Sequence, residues 1–454
     1  MSDLARRLDA PLHGTDVRFT RVTTDTRTLA PGDLFVALKG ERFDGHEFIE
    51  QARKGGAAGA LVAEAQPSNL PQVVVKDTLA GLQEYAISWR GDFHIPVVGV
   101  TGSNGKTTVK QMLSSICARR GPVLATAGNL NNHIGVPLTL LSLREEHKTA
   151  IIEMGANHHG EIARLAEIAR PAIGVVTNAG DAHLEGFGSR EGVAEAKGEL
   201  FAALGENGIA VINADDDFAP LWRELAREAD VITFGLSGDA NVRAENVHGE
   251  PPEAPTGMEF ELQTPVGHQS ATLPLPGLHN VRNALAAAAC AVALGVDSRD
   301  IALGLMAVRP APGRLAWRRA HNGARLLDDS YNANPTSLRA GLELLVAVNA
   351  RRWLVLGGMA ELGRGADQMH HAAGEDARAL GIERLYSLGP LARHAAAGFG
   401  AGAVHFEDVD ALIAEVRERL APDVAVLVKG SRSSRMERVV AALIGEDAAG
   451  GGAH

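Results

Sequence analysis

The chain has 454 residues, 45% hydrophobic and 22% charged, the balance of a soluble globular protein with more than one core, about three at ordinary domain size. Its 44 basic and 55 acidic residues leave a net charge of −11 with no dense lysine or arginine run, so a polyanion would be repelled and nucleic acid is not an expected partner. Two cysteines, Cys117 and Cys290, make no disulfide framework. They suit a reducing cytoplasm, and no apolar stretch has the length of a signal core or a membrane span.

Residues 1–92 read as a small α/β domain. Apolar runs at 34–38, 60–62 and 73–75 are strands, and helices cover 46–54, ended by Gly55-Gly56, and 79–90. Residues 93–312 alternate strand and helix, with nearly continuous apolar strands at 95–100, 150–154, 172–177, 209–213 and 231–234, as in a parallel sheet covered on both faces. A β-rich insert, 242–275, carries a clean alternation at 258–262, and a helix over 279–294 closes the domain. Beyond the Pro310-Ala311-Pro312-Gly313 hinge, strands at 326–327, 353–356, 384–388 and 424–428 alternate with helices at 335–349, 368–380 and 409–420. That pattern, over 313–446, is a doubly wound, Rossmann-like domain whose ligands sit at strand C-terminal ends. Residues 447–454 read as a disordered tail.

The most informative stretch follows the strand at 95–100: Thr101-Gly102-Ser103-Asn104-Gly105-Lys106-Thr107-Thr108, leading into an amphipathic helix over 109–119. Strand, glycine loop and helix start together make a phosphate-binding loop. Backbone N–H groups and the helix N-terminus face the anion, Lys106 neutralises the terminal phosphates, and the Thr107 hydroxyl meets magnesium. The full nucleotide-loop pattern places a glycine where this chain has Val100, so Thr101-Gly102 has to make the turn.

Other residues are ambiguous taken singly. Glu153 ends an apolar strand and either completes a magnesium shell with Thr107 or is a solvated charge. His183 lies in a loop, and Lys197, a cation at neutral pH, cannot itself ligate a metal. Asn280 and Asn283 share one helix face and suit an adenine edge, while Asn280 serves equally well as a helix cap. Arg314 follows the hinge as a mobile cation aimed at phosphates, and Asp329 is either a ribose acceptor or a loop carboxylate.

Taken together, Thr101 to Thr107, Glu153, His183 with Lys197, His279-Asn280-Val281-Arg282-Asn283, Arg314 and Asp329 resemble the Mur ligase superfamily across the whole chain. Asp329-Ser330-Tyr331-Asn332-Ala333-Asn334-Pro335, His183 to Gly188 and Val428-Lys429-Gly430-Ser431-Arg432 resemble the members that add a D-alanyl-D-alanine dipeptide to a UDP-N-acetylmuramoyl-tripeptide. The Asp-Asn-Pro-Arg tetrapeptide of members adding the third amino acid is absent. The resemblance implies an ATP-dependent amide-forming ligase of peptidoglycan precursor synthesis that works through an acyl phosphate.

By the same resemblance the enzyme uses two magnesium ions. Thr107 and Glu153 hold the first, and His183 with a carbamylated Lys197 holds the second. Residues 1–92 bind the UDP-sugar peptide through Asp25, Thr26, Arg27, Asp44, Gly45 and His46, with Asn132 and His133 near the muramoyl group. Asn332, Asn334, Lys429 and Ser431 face the incoming dipeptide. The implied protein is a cytoplasmic monomer.

Two rivals share the reaction class: the third-residue ligase and a folylpolyglutamate synthase-like enzyme. A nucleotide-dependent switch or binding protein is the rival of another class, although the guanine-reading Asn-Lys-x-Asp motif is absent.

Overall fold

The computed structural model describes residues 1–40, 43–249 and 257–444; the tail read at 447–454 and residues 250–256 of the β-rich insert lie outside them. The chain is mixed α/β with three sheets. It divides into two compact units. One is built from Met1–Gly99, Arg120–Gly155 and Glu161–Ile173, the other from Val100–Arg119, Ala156–Gly160 and Gly174–His454.

In the first unit a five-stranded sheet runs in the order Leu12–His13, Gln72–Val74, Gly59–Val62, Asp33–Val36, Arg21–Thr23. Its inner pairs are parallel and the Leu12–His13 edge is antiparallel. Phe35, Ala37, Ile49, Ala52, Ala60, Val62 and Leu70 form the core between this sheet and the helix Ile49–Lys54. The helix Thr78–Gly91 starts where the Asp77 carboxylate accepts from Leu79 N and Ala80 N, which satisfies two otherwise unpaired donors. From that helix Arg90 donates to the carbonyls of Phe93, Ile95 and Ala169 and so ties down the chain that follows.

In the second unit the strands Ile209–Asn213 and Asp230–Gly235 are parallel, and Val242–Gly249 continues beside them. The antiparallel strands Met258–Thr264 and Gly267–Leu273 then complete the insert. The alanine-rich helix Leu278–Ala293 is buried along most of its length and packs on Lys106–Cys117, where small side chains permit close approach. Cys117 and Cys290 are both buried.

The same unit carries a six-stranded sheet in the order Ala316–Arg319, Arg325–Asp329, Val424–Lys429, Arg351–Gly357, Arg384–Leu388, Ala403–Phe406. All its pairs are parallel except the first. One face is sealed by a core that includes Leu327, Leu354, Leu356 and Leu427, the other by one that includes Leu326, Trp353, Val355 and Val426. Alternate residues of each central strand therefore enter opposite cores, as a doubly wound sheet requires. Parallel register sets Asp329 beside Lys429 at the C-terminal ends of neighbouring strands.

Among the described residues no helix is long and apolar enough to cross a membrane.

Candidate active site

The phosphate-loop helix begins three residues earlier than its apolar pattern suggests, at Lys106, because Gly105 takes a left-handed turn (φ 83°) and acts as the N-cap. Gly102 (φ 137°) makes the tight turn in place of the missing glycine at Val100, and a β-carbon there would lie 2.0 Å from Thr177 Oγ1. A β-carbon on Gly105 would meet Asn283 Oδ1 at 2.3 Å. The loop thus runs in a slot bounded by the end of one strand and the first turns of a helix.

Hydrogen bonds hold it there. Ser103 N donates to Asn178 O (2.9 Å), and Ser103 Oγ accepts from Gly180 N (2.9 Å). Asn104 N donates to Asn178 Oδ1 (3.1 Å), while Asn104 O accepts from Thr177 Oγ1 (2.6 Å). Thr101, wholly buried, accepts from Thr177 N through its carbonyl. The sequence reading assigned no role to Thr177 or Asn178; their signal was their place at the end of an apolar strand, where ligands of parallel sheets collect. Lys106 Nζ curls back onto Gly102 O (2.7 Å). Asn104 Nδ2 is shut off from solvent without a partner and lies beside Gly180.

Elements from beyond the hinge reach this loop. Arg314 Nη2 donates to Thr107 Oγ1 (3.2 Å), with its guanidinium 4.3 Å from the centroid of the Tyr331 ring. Asn334 caps the helix Pro335–Val346 through a capping box and donates from Nδ2 to Asn104 Oδ1 (2.8 Å). The structure corrects one alternative: Gly277, not Asn280, is the cap of Leu278–Ala293. Asn280 lies three residues inside and donates to Pro276 O, and Asn283 Nδ2 donates to Asn280 Oδ1.

Lys429 also departs from its expectation. Its ammonium is buried, paired with the Asp329 carboxylate and donated to Asn332 O (2.9 Å), so it is not presented to a dipeptide carboxylate. Asp329 in turn has one oxygen committed to that pair. Ser431 is buried in a hydroxyl cluster with Ser433 and Ser434.

His183 and Lys197 converge on one ring. The helix Arg190–Ala202 buries Lys197 to 1% exposure, with Nζ 4.9 Å from the Phe187 centroid and donating to Ala156 O (3.1 Å). The His183 ring meets Phe187 edge-on at 6.4 Å. Among the described residues no group of three or more His, Cys, Asp or Glu is arranged around one point. Magnesium held largely by phosphate oxygens and water needs only one or two protein carboxylates, so this count does not conflict with a metal-nucleotide site.

The first unit holds the remaining residues. Glu153 ends the buried strand Thr149–Glu153 and accepts from Asn131 Nδ2 (2.9 Å), a contact the sequence reading missed. Asn132 Oδ1 accepts from Ile134 N and Gly135 N at the entry to the helix Gly135–Leu140. The His133 carbonyl accepts from Gln83 Nε2 (3.0 Å). Asp25, whose carboxyl is held below its ordinary value by hydrogen bonds to Arg27, forms with it a half-buried turn at Thr26 from which the Arg27 side chain is exposed. Asp44 and Gly45 enter a short helical turn, and His46 has both ring nitrogens occupied, Nδ1 on Asp44 Oδ1 (2.6 Å) and Nε2 accepting from Ala63 N (2.8 Å). Neither ring nitrogen of His46 is therefore left over for the expected sugar contact.

Two predictions follow from this geometry. Gly102→Ala forces a β-carbon against Thr177 at a disfavoured φ, a clash of about 1–3 kcal/mol. The variant should bind ADP at least about fivefold more weakly in a calorimetric titration, and unchanged affinity would contradict the slot. His279 retains some exposed surface, but its Nε2 is enclosed and unpartnered. Burial first, then the positive charges of Lys429 and Arg282, push its imidazole down to about 4. Above the ordinary value of 6.5 the ring is neutral whether folded or unfolded. Between 6.5 and about 4 only the unfolded chain takes the proton, so stability falls with pH in that window. Denaturant midpoints of His279→Gln should fall less steeply than wild type from pH 6.5 to 4, and parallel curves would contradict the shift.

Family models match residues 18–87 (Mur ligase family, catalytic domain), 100–291 (Mur ligase middle domain) and 313–432 (Mur ligase, glutamate ligase domain). The chain is 46% identical over 446 residues to the UDP-N-acetylmuramoyl-tripeptide--D-alanyl-D-alanine ligase of Escherichia coli strain K12, covering 98% of each chain. Its fold superposes on a crystal structure of MurF from Acinetobacter baumannii with a TM-score of 0.90 at 37% identity, covering 98% of both. The Thermotoga maritima MurF ligase in complex with ADP matches with a TM-score of 0.81 at 28% identity, over 95% of this chain and 99% of that one. With its motifs carried along the whole length, the chain belongs to the Mur ligase family.

Proposed function

We propose that this protein is the ATP-dependent ligase that joins D-alanyl-D-alanine to UDP-N-acetylmuramoyl-tripeptide, producing the UDP-linked pentapeptide. The observation that carries the reading is the 46% identity to the Escherichia coli ligase of that name, sustained over 98% of both chains. The phosphate loop with two cations against it, Lys106 and Arg314, supports it independently. We further propose a division of labour: 1–92 takes the UDP-sugar peptide, 93–312 takes ATP, and 313–446 takes the dipeptide.

A carboxylate is a poor electrophile, because hydroxide would have to leave. In the proposed reaction a tripeptide carboxylate oxygen attacks the γ-phosphorus of ATP and ADP departs, leaving an acyl phosphate. The dipeptide amine, once deprotonated, adds to the acyl carbon, and the resulting tetrahedral intermediate expels phosphate to form the amide. Two anions have to approach in the first step, so cations and loop N–H groups carry most of the catalysis.

Lys106 neutralises the terminal phosphates from the helix start. Arg314, which donates to Thr107 Oγ1, is assigned as a second cation for the phosphates, and the Thr107 hydroxyl would be a magnesium ligand. Asn283, against the loop, and Asn280 behind it are assigned to the nucleotide, and Asp329, oriented by Lys429, to its ribose. Asn332, Asn334 and Ser431 are assigned to the dipeptide side. Asp25, Thr26, Arg27, Asp44 and Gly45, with Asn132 and His133, are assigned to the UDP-linked substrate.

The donor set suits magnesium. Thr107 and Glu153 would hold one ion, and His183 with Lys197 as its carbamate a second. An unmodified Lys197 ammonium would repel a divalent cation, whereas a carbamate offers it oxygen donors. When bound, the ions supply charge neutralisation for the transferring phosphoryl group.

Incubating the enzyme with ATP, UDP-N-acetylmuramoyl-tripeptide and D-alanyl-D-alanine should yield a product heavier by the dipeptide less one water, with ADP and phosphate released in equal amounts. Phosphate release that does not depend on the dipeptide would point to a nucleotide-driven switch. A product extended by a single amino acid on a shorter acceptor would point to the third-residue ligase.

A further inference from the structure

The loop after the strand Arg351–Gly357 places one carboxylate against the imidazole assigned to the second metal. His183 Nδ1 lies 2.5 Å from Glu361 Oε2, although the ring N–H is not aligned for a linear hydrogen bond. Nδ1 is otherwise closed off from solvent without a partner, so Glu361 is the group that can satisfy it. Both residues sit in left-handed backbone (φ 56° and 63°), which non-glycine residues adopt only where the surroundings hold them there.

Those surroundings are specific. Glu185 N donates to Glu361 O (3.2 Å), and Gly363 lies so close to Glu185 that a β-carbon would meet its Cα at 3.2 Å. The two loops thus meet through backbone at Glu185, two residues from His183. On its other side the His183 ring meets Phe187 edge-on, so two contacts fix the ring plane.

We propose that Glu361 is a positioning residue for His183. Its carboxylate accepts the Nδ1 proton, which fixes the tautomer and leaves the Nε2 lone pair directed at the metal that accompanies the nucleotide. Imidazole ligands depend on such a carboxylate for ring orientation and basicity, and losing it typically weakens metal binding 10–100-fold. Because Glu361 lies beyond the hinge, the ring is oriented only while the two loops are together. The inference rests on the assignment of His183 to a metal under the proposed function.

The test is Mn2+ titration of the full-length protein with ADP present, reading free Mn2+ by electron paramagnetic resonance. Wild type should show two classes of site. Glu361→Ala should weaken one class by about 10–100-fold and leave the other unchanged, His183→Ala should weaken the same class, and the double variant should add little beyond either single change. Glu361→Gln retains an acceptor for the Nδ1 proton and should recover part of the loss.

Wild-type affinity for both classes in Glu361→Ala would overturn the proposal, as would fully additive losses in the double variant. If Glu361→Ala does not fold, Glu361→Gln decides, since an intermediate loss supports the role and no loss overturns it. These readouts need no product formation. A wild type that binds Mn2+ as expected but makes no dipeptide adduct would therefore count against the ligase reading and not against Glu361.

Discussion

The close passage of the phosphate loop past the strand end at Thr177 is the constraint on which the site depends. Backbone N–H groups bind an anion only if they stay pointed at it when the anion is absent, and that preorganisation is costly to lose. Here it comes from Gly102 lying where no side chain fits and from Thr177, Asn178 and Gly180 bonding Ser103 and Asn104 in turn. Lys106 folding back onto the Gly102 carbonyl keeps a positive charge over the loop.

A second layer is built from beyond the hinge. Arg314 meets the Thr107 hydroxyl, Asn334 both caps its own helix and bonds Asn104, and Glu361 abuts His183. Each of these residues joins an ATP-side group to the doubly wound sheet that follows. Asp329 and Lys429 explain how that sheet can present polar groups at all. Their pairing neutralises two buried charges at adjacent strand ends, where leaving either alone would carry a large desolvation penalty. The proposed chemistry needs this arrangement, because the acyl phosphate forms on one side of the hinge and its attacking amine arrives on the other.

Much of this was legible in the chain. The strands at Ile209–Asn213 and Arg384–Leu388 fall where continuous apolar runs place them, and the phosphate loop announced itself through spacing alone. What escaped depends on contacts between distant residues. Nothing local in Glu195-Ala196-Lys197-Gly198-Glu199 marks Lys197 as almost wholly buried, since the surrounding charges read as a solvated helix face. The Lys429–Asp329 pair arises from parallel register between strands a hundred residues apart, and the full occupation of His46 from a strand-end amide at Ala63. Asn131 on Glu153 and Glu361 on His183 are of the same kind. Sequence spacing identifies groups that bind phosphate through backbone; it does not identify the side chains that hold other side chains.

The central claim is that this loop and its cations activate a carboxylate by phosphorylating it. Oxygen transfer tests that claim most directly. With the reacting tripeptide carboxylate labelled with 18O, full turnover in the presence of ATP and D-alanyl-D-alanine should deliver one labelled oxygen into each inorganic phosphate released, because the acyl carbon–oxygen bond breaks when the amine displaces phosphate. Phosphate free of label, with the amide nevertheless formed, would contradict the account.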